Sequence, residues 1–189
     1  MGTCSQSRYS ILRSFVTGAL VLFVSACTPG TPQVSVHTDE FTPNIQFDGP
    51  QARQTDWSTL YDWHLLTLLG KKDNDATYAL YFGVSFTAPK KDPFLYAYDE
   101  QAQSLPIVVF NSERGGCNMG QCSWYVKSEV VLKEKYLHDH LNAGFRVKMT
   151  SRSGASYIVT VTPEMIRLQL EAVDKYRSGS IQAGGAPAQ

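Results

Sequence analysis

The chain has 189 residues, and its 17 Lys and Arg residues balance its 17 Asp and Glu residues, so its formal net charge is zero. Proteins that bind nucleic acid usually carry a basic patch or stripe, and this balanced composition gives no support for one. The length suits one domain with flexible ends, which is enough to bury a hydrophobic core. We therefore expect no nucleic-acid partner.

The first 26 residues have the composition of a secretory signal peptide. They contain Arg8 and Arg13, no acidic residue, and a ten-residue apolar run, Phe15–Val24. A transmembrane helix needs about 20 apolar residues to cross the hydrocarbon core, so this run is too short for a membrane span. Removal of residues 1–26 would leave 15 basic and 17 acidic residues in the mature chain.

The sequence Val24-Ser25-Ala26-Cys27 resembles the bacterial lipobox, in which an aliphatic residue and two small residues precede a cysteine. The resemblance implies that Cys27 becomes the first residue of the mature protein and carries a diacylglycerol and fatty acyl chains such as palmitate. Thr28 at the next position, in place of aspartate, implies sorting to the outer membrane, with the domain facing the periplasm or the cell surface. The alternative is an ordinary signal peptide that leaves Cys27 free.

The residues after the signal peptide divide into three parts. Residues 27–55 are rich in Thr, Pro, Gln and Gly, which predicts a flexible tether with a reach on the order of 30 Å and an edge strand near Asn44–Phe47. Residues 56–177 are predicted to form a single globular, β-rich domain. Residues 178–189 show no periodic apolar pattern, which predicts a disordered tail.

Most of the predicted domain alternates apolar with smaller or polar residues, as half-buried β-strands do. Strands are predicted at residues 76–88, 94–99 and 106–111, in the segment after Cys122, and as a hairpin of residues 145–149 and 157–161. The apolar residues of the segment 56–69 fit either a helix or a buried strand.

Two segments have helical patterns. The first covers residues 133–144, and the second covers residues 162–176, where Thr162 is a capping residue and Pro163 occupies the first helical position. These elements predict the α+β class, with an antiparallel sheet of about five or six strands and one or two packed helices. A two-sheet sandwich is the alternative.

Two cysteines of the predicted domain, Cys117 and Cys122, lie in the sequence GGCNMGQC. In the oxidising compartment that a signal peptide implies, an isolated pair of this kind predicts a disulfide. Closing so short a loop contributes about 2 kcal/mol in the chain-entropy model. The alternatives are a redox-active pair, which favours Cys-x-x-Cys at a helix start, and a metal site, which needs further ligands.

The chain contains none of the G-x-S-x-G, H-E-x-x-H, G-x-G-x-x-G or P-loop sequences, so we predict no catalytic residue, cofactor or metal. His138 and His140 would point about 200° apart on a helix, which prevents them from chelating one ion together. A hydrolase acting on the envelope would have to assemble its site from distant residues. The candidates for such a site are His138, His140, Asp99 and Glu129.

Aromatic residues are concentrated in the predicted strands 76–88 and 94–99. Most of them are expected in the core, whereas Tyr81 is placed to face solvent, where an amphipathic ring suits a glycan or a protein surface. Our first hypothesis is a non-enzymatic lipoprotein, held at the membrane by Cys27, that binds another envelope protein or a glycan in an accessory or assembly role. A hydrolase and an apolar-ligand-binding module are the alternatives.

Overall fold

The computed structural model describes residues 32–56 and 59–179. The elements in chain order are β1 (Ser35–Thr38), β2 (Asn44–Asp48), β3 (Ala52–Asp56), β4 (Thr59–Gly70), β5 (Ala76–Ala88), β6 (Phe94–Tyr98), β7 (Ser104–Leu105), β8 (Ile107–Asn118), β9 (Gln121–Leu132), α1 (Glu134–Asp139), β10 (Phe145–Ser151), β11 (Ser156–Val161) and α2 (Pro163–Arg177). This mostly antiparallel β-structure with two helices is consistent with the α+β prediction. The predicted count of five or six strands is too low, because the described residues contain eleven.

The strands form two antiparallel sheets. The larger sheet has the order β1-β2-β4-β5-β9-β8, with β3 pairing separately with β4, and the smaller sheet has the order β11-β10-β6-β7. The larger sheet curls into a half-barrel. Its strands β4, β5, β8 and β9 are 12 or 13 residues long, and strands of this length accumulate a large right-handed twist.

The hydrophobic core lies between the two sheets. The indole Nε1 of Trp63 on β4 donates a hydrogen bond to the carbonyl oxygen of Thr160 on β11, at 3.0 Å. The rings of Phe82 and Phe94, one from each sheet, meet edge to face with 5.3 Å between centroids. Both of these phenylalanines are at most 2% exposed, so the aromatic residues of the two predicted strands supply part of the core, as expected.

The segment whose periodicity was ambiguous, residues 56–69, contains strand β4. Three consecutive residues of this strand, Tyr61, Asp62 and Trp63, are all buried. A strand that is covered on both faces loses the apolar–polar alternation by which a strand is recognised. The periodicity of the sequence therefore does not separate a strand from a helix here.

The predicted tether over residues 27–55 is corrected by its described part, which contains β1, β2 and most of β3. Strand β2 pairs with β4 from Asn44↔Gly70 to Asp48↔Leu66, and Phe47 is fully buried. The predicted strand near Asn44–Phe47 is confirmed as β2, although β2 lies between β1 and β4 and not at an edge of the sheet. Strands β1 and β3 are only four and five residues long, so the local pattern does not reveal them. The predicted signal peptide, Cys27 and the tail beyond Gly179 lie outside the described residues.

Helix α2 confirms the predicted second helix. The side chain of Thr162 accepts a hydrogen bond from the Met165 backbone N–H at 3.3 Å, and Pro163 is the first helical residue. This is an N-cap, which satisfies a backbone donor that the first turn leaves free. Ile166 and Val173 on one face of the helix are fully buried.

A buried glutamine fastens α2 to the larger sheet. The Gln169 side-chain Nε2 donates hydrogen bonds to the Phe47 carbonyl oxygen at 3.0 Å and to the Thr67 hydroxyl at 2.8 Å. Gly49 leaves room for this amide, because a Cβ atom at Gly49 would lie 2.8 Å from Gln169 Oε1. One side chain thus joins α2, β2 and β4, and it holds β2 in place against β4.

Candidate functional site

The larger sheet presents a second face, opposite the core, on which polar and aromatic side chains form a row. The strand register places His64 beside Tyr81 and Tyr81 beside Glu129. Their neighbours along the chain, such as Leu65 and Leu80, are buried in the core. Because successive side chains of a strand point to opposite faces, the row His64–Tyr81–Glu129 is directed away from the core.

An open cleft of about 590 Å³ lies over this row. We call it the outer-face cleft, and its lining includes Asp48, Gln51, His64, Tyr81, Phe110 and Glu129. Six strands contribute lining residues, since Ser35 begins β1, Asp48 ends β2, and the others come from β4, β5, β8 and β9, while Gln51 lies in the connection before β3. The residues that form the cleft are therefore distant in sequence.

Two histidines approach the carboxylate of Asp48. The Nε2 atom of His37 lies 3.2 Å from Asp48 Oδ2, and the Nε2 atom of His64 lies 3.6 Å from Asp48 Oδ1. Gln46 also donates a hydrogen bond from Nε2 to Oδ1 at 2.9 Å. Burial acts to raise the pKa of Asp48, but the contacts with His64, Gln46 and His37 outweigh it, so the pKa lies below its ordinary value.

The ring of His64 is tightly held. It stacks on Tyr81, with 4.6 Å between centroids and 23° between planes. The Nδ1 atom of His64 is buried and has no hydrogen-bond partner among the described residues. With Nε2 directed at Asp48 and Nδ1 enclosed, neither ring nitrogen is presented to a reactant in the cleft.

A chain of hydrogen bonds also engages the hydroxyl of Tyr81. The Tyr125 hydroxyl lies 3.4 Å from Asp62 Oδ1, to which it donates, and 3.1 Å from the Tyr81 hydroxyl. Because a hydroxyl has one proton to donate, Tyr125 accepts the proton of Tyr81. Burial, followed by this hydrogen bond, raises the pKa of Tyr81, and Gln51 Nε2 completes the chain by donating to Asp62 Oδ2 at 2.8 Å.

Glu129 differs from Asp48, the other acidic residue among the described lining residues. Its side chain is half-buried, and no hydrogen bond or ion pair to it occurs within the described part of the chain. Burial raises the pKa of Glu129, and the nearby His64 only partly opposes this effect. Beside it, Phe110 leaves 50% of its surface exposed. The cleft thus combines an uncompensated carboxylate with an exposed apolar ring.

The other residues predicted for a hydrolase do not line the outer-face cleft. His138 lies on α1, which is shorter than the predicted helix, and its Nε2 atom is 3.9 Å from Glu134 Oε1. His140 Nδ1 lies 2.8 Å from the Tyr136 carbonyl oxygen. The carboxylate of Asp99 accepts backbone N–H groups in the turn between β6 and β7. Of the four candidates, only Glu129 reaches the cleft.

The predicted disulfide between Cys117 and Cys122 is present. The two cysteines face each other across the β8–β9 hairpin, with 4.0 Å between their Cα atoms. Met119 and Gly120 form the turn, and both have positive φ angles, of 48° and 79°. Two-residue hairpin turns of this kind match the twist of the paired strands. The disulfide therefore closes a hairpin tip, and neither cysteine lines the outer-face cleft.

The described residues contain neither a membrane-spanning helix nor a cluster of metal ligands. Within residues 32–56 and 59–179, no helix has the length and apolar character needed to cross a membrane. In the same residues, no group of three or more His, Cys, Asp and Glu side chains is arranged to hold a metal ion. His37 and His64 contact Asp48 as polar neighbours.

Comparison of the chain with protein-family models, curated proteins and solved structures finds no significant match. The function therefore has to be argued from the residues of the cleft. Sequence reasoning selected Tyr81 and Glu129, for separate reasons. It missed His37, Asp48, His64 and Phe110, because His37 and Asp48 lie in the predicted tether and His64 in the ambiguous segment. The position of Phe110 at the cleft depends on the pairing of β8 with β9.

Proposed function

We propose that the chain is an outer-membrane lipoprotein, anchored through acylated Cys27, that binds another component of the cell envelope without converting it chemically. The lipobox-like sequence ending at Cys27 supports the anchor. The outer-face cleft supports the binding role, and the observation that carries it is the half-buried Glu129, unpartnered among the described residues, beside the exposed ring of Phe110. Burial of an unpartnered carboxylate is costly, and a bound partner would relieve that cost and cover the apolar ring.

The arrangement of His64 supports binding over catalysis. A general base must lie within hydrogen-bond reach of the proton that it removes. In the cleft, His64 has one nitrogen directed at Asp48 and the other enclosed by protein. Asp48 in turn is occupied by His37, His64 and Gln46. Because these groups are engaged with one another, the arrangement favours a role in shaping and charging the cleft over proton transfer to a substrate.

The proposal is tested by affinity purification of the tagged full-length protein from detergent-extracted envelopes. We expect a defined partner to copurify with the wild type and to be lost from Phe110→Ser. The matched control is Ile158→Ser on β11, because Ile158 is 47% exposed, close to the 50% of Phe110, and does not line the cleft. Cys27→Ala should reduce the recovery by releasing the protein from the membrane.

Two results contradict the proposal. The first is a correctly acylated wild-type protein that copurifies with no partner. The second is a purified protein that turns over envelope material. If the partner is recovered equally with Phe110→Ser and with the wild type, the binding role survives but the outer-face cleft is not its site.

A further inference from the structure

We propose that the outer-face cleft receives a cationic side chain, lysine or arginine, presented by a partner protein. This inference deepens the proposed function and rests on it. The juxtaposition that leads to it is Glu129 on β9, the stacked Tyr81 on β5 and the exposed Phe110 on β8, all of which line the cleft.

The carboxylate of Glu129 provides the charge for such a ligand. A half-buried carboxylate loses part of its hydration, and a group of this kind is normally compensated by hydrogen bonds or by an opposite charge. Asp62, Asp48 and Asp99 all accept hydrogen bonds from the protein. Glu129 receives none from the described residues, and His64 only partly offsets the effect of its burial, so a cationic ligand would supply the missing compensation.

The aromatic side chains provide the second half of the site. Phe110 meets Tyr81 edge to face, with 6.3 Å between centroids, and half of its surface remains exposed. A lysine or arginine side chain has a long apolar stem and a charged end. Its stem would cover Phe110 while its cation reaches Glu129, and an aromatic ring attracts a cation that lies over its face.

The charges around the cleft favour a positively charged ligand. The described residues that line the cleft include two carboxylates, Asp48 and Glu129, and no Lys or Arg. The nearest lysine along β9, Lys127, pairs with Glu113 at 3.0 Å. The basic side chain of the described lining, His64, is directed at Asp48, so an anionic ligand would meet the repulsion of Glu129, while a neutral sugar would leave Glu129 without an opposite charge. The observations therefore favour a cationic side chain over a glycan.

The test uses small probes and the full-length protein in detergent micelles. The cationic probes are Nα-acetyl-lysine methylamide and Nα-acetyl-arginine methylamide. Their neutral counterparts, the norleucine and citrulline methylamides, have similar shapes without the charge. We expect the cationic probes to bind about tenfold or more tightly than their neutral counterparts, since a hydrogen bond to a charged group contributes roughly this factor. The measurement is an NMR titration of the backbone amide signals of β5, β8 and β9.

Two variants locate the effect. Glu129→Gln keeps the shape of the side chain and should reduce the affinity for the cationic probes about tenfold, to the level of the neutral ones. Glu171→Gln on the exposed face of α2, where Glu171 pairs with Lys175, should leave the affinity unchanged. The thermal transition of each variant is recorded beside the titration, so a loss of binding is not confused with a loss of folding.

Three outcomes overturn the inference. Equal binding of cationic and neutral probes removes the role of charge, and unchanged affinity in Glu129→Gln removes the role of that carboxylate. Preferential binding of a neutral saccharide would assign the cleft to a glycan. In each of these cases a partner that copurifies through the cleft leaves the proposed function intact, whereas the absence of any partner removes the proposed function itself.

Discussion

The hydroxyl of Tyr125 lies directly over Gly83, so close that a Cβ atom at Gly83 would be 2.4 Å from it and 2.9 Å from Asp62 Oδ1. Because Gly83 has no side chain, the hydroxyl of Tyr125 has room to reach Asp62. The hydrogen-bond chain that supports Tyr81 in the outer-face cleft therefore depends on a glycine two residues further along the same strand.

We predict that Gly83→Ala destabilises the protein by about 1–3 kcal/mol, because the added methyl group overpacks a buried site. The variant should also displace Tyr125 and weaken binding in the cleft. Gly116→Ala is the matched control, since nothing lies within 4 Å of the position of its Cβ atom. Urea denaturation of both variants checks the prediction, and equal stability of the two would show that Tyr125 moves aside at no cost.

The second prediction concerns Asp48, whose pKa is lowered from its ordinary value of 3.8. A carboxylate with a lowered folded-state pKa stabilises the protein above its unfolded-state pKa, and this stabilisation is lost as the pH falls through the folded-state value. Urea denaturation from pH 7 to pH 2 should therefore show a smaller loss of stability at acidic pH for Asp48→Asn than for the wild type. Parallel curves for the two proteins would contradict the contacts with His37 and His64 as a source of stability.

Glu129 should behave in the opposite way, because burial raises its pKa. A carboxyl group with a raised folded-state pKa favours folding below its unfolded-state pKa, and this advantage disappears as the pH rises through the folded-state value. We expect Glu129→Gln to be more stable than the wild type at pH 7 and the difference to shrink as the pH is lowered toward 3. The measurement is the thermal transition temperature of both proteins between pH 7 and pH 3. A Glu129→Gln protein that melts below the wild type at pH 7 would indicate that the carboxylate has a compensating partner.

The fourth prediction concerns the glutamine that fastens α2. Gln169→Met preserves most of the side-chain volume but removes the donor, which leaves the Phe47 carbonyl and the Thr67 hydroxyl without the hydrogen bonds that they accept. We expect a loss of about 1–3 kcal/mol in the free energy of unfolding, the cost of an unsatisfied buried polar group. Arg167→Met on the exposed side of the same helix should change it by less than about 0.5 kcal/mol. Chemical denaturation distinguishes the two variants, and equal losses would assign the effect to the helix and not to the buried amide.

The elements that the sequence predicts well are those with local signals. The N-cap at Thr162, the period of two in β5 and the close spacing of Cys117 and Cys122 each depend on residues near one another in sequence, and all three predictions are confirmed. Strands β1 and β3 have no such signal, because they are short and mostly polar, whereas the apolar residues of β2 do predict a strand near Asn44–Phe47. Their place in the sheet follows from partners such as β4, which alternation does not identify.

The candidate site shows the same division. The sequence alone predicts Tyr81 as an outward-facing aromatic residue and Glu129 as a candidate acidic residue on a strand. Their adjacency to each other and to His64 depends on the register of three strands, and a shift of one residue would turn each side chain to the other face. The sequence alone does not show that register. The individual residues could therefore be predicted, but their adjacency in one cleft could not.

The polar contacts around Asp48 have a mechanical consequence. Strand β1 lies at an edge of the larger sheet, and its first residue, Ser35, pairs with Asp48. Tension applied to the chain before β1 would enter the domain at this pair and would peel β1 from the sheet one residue pair at a time. The side chain of His37, which belongs to the third pair, reaches back to Asp48 in the first pair. This contact would therefore have to break before the first three pairs of β1 could separate from β2.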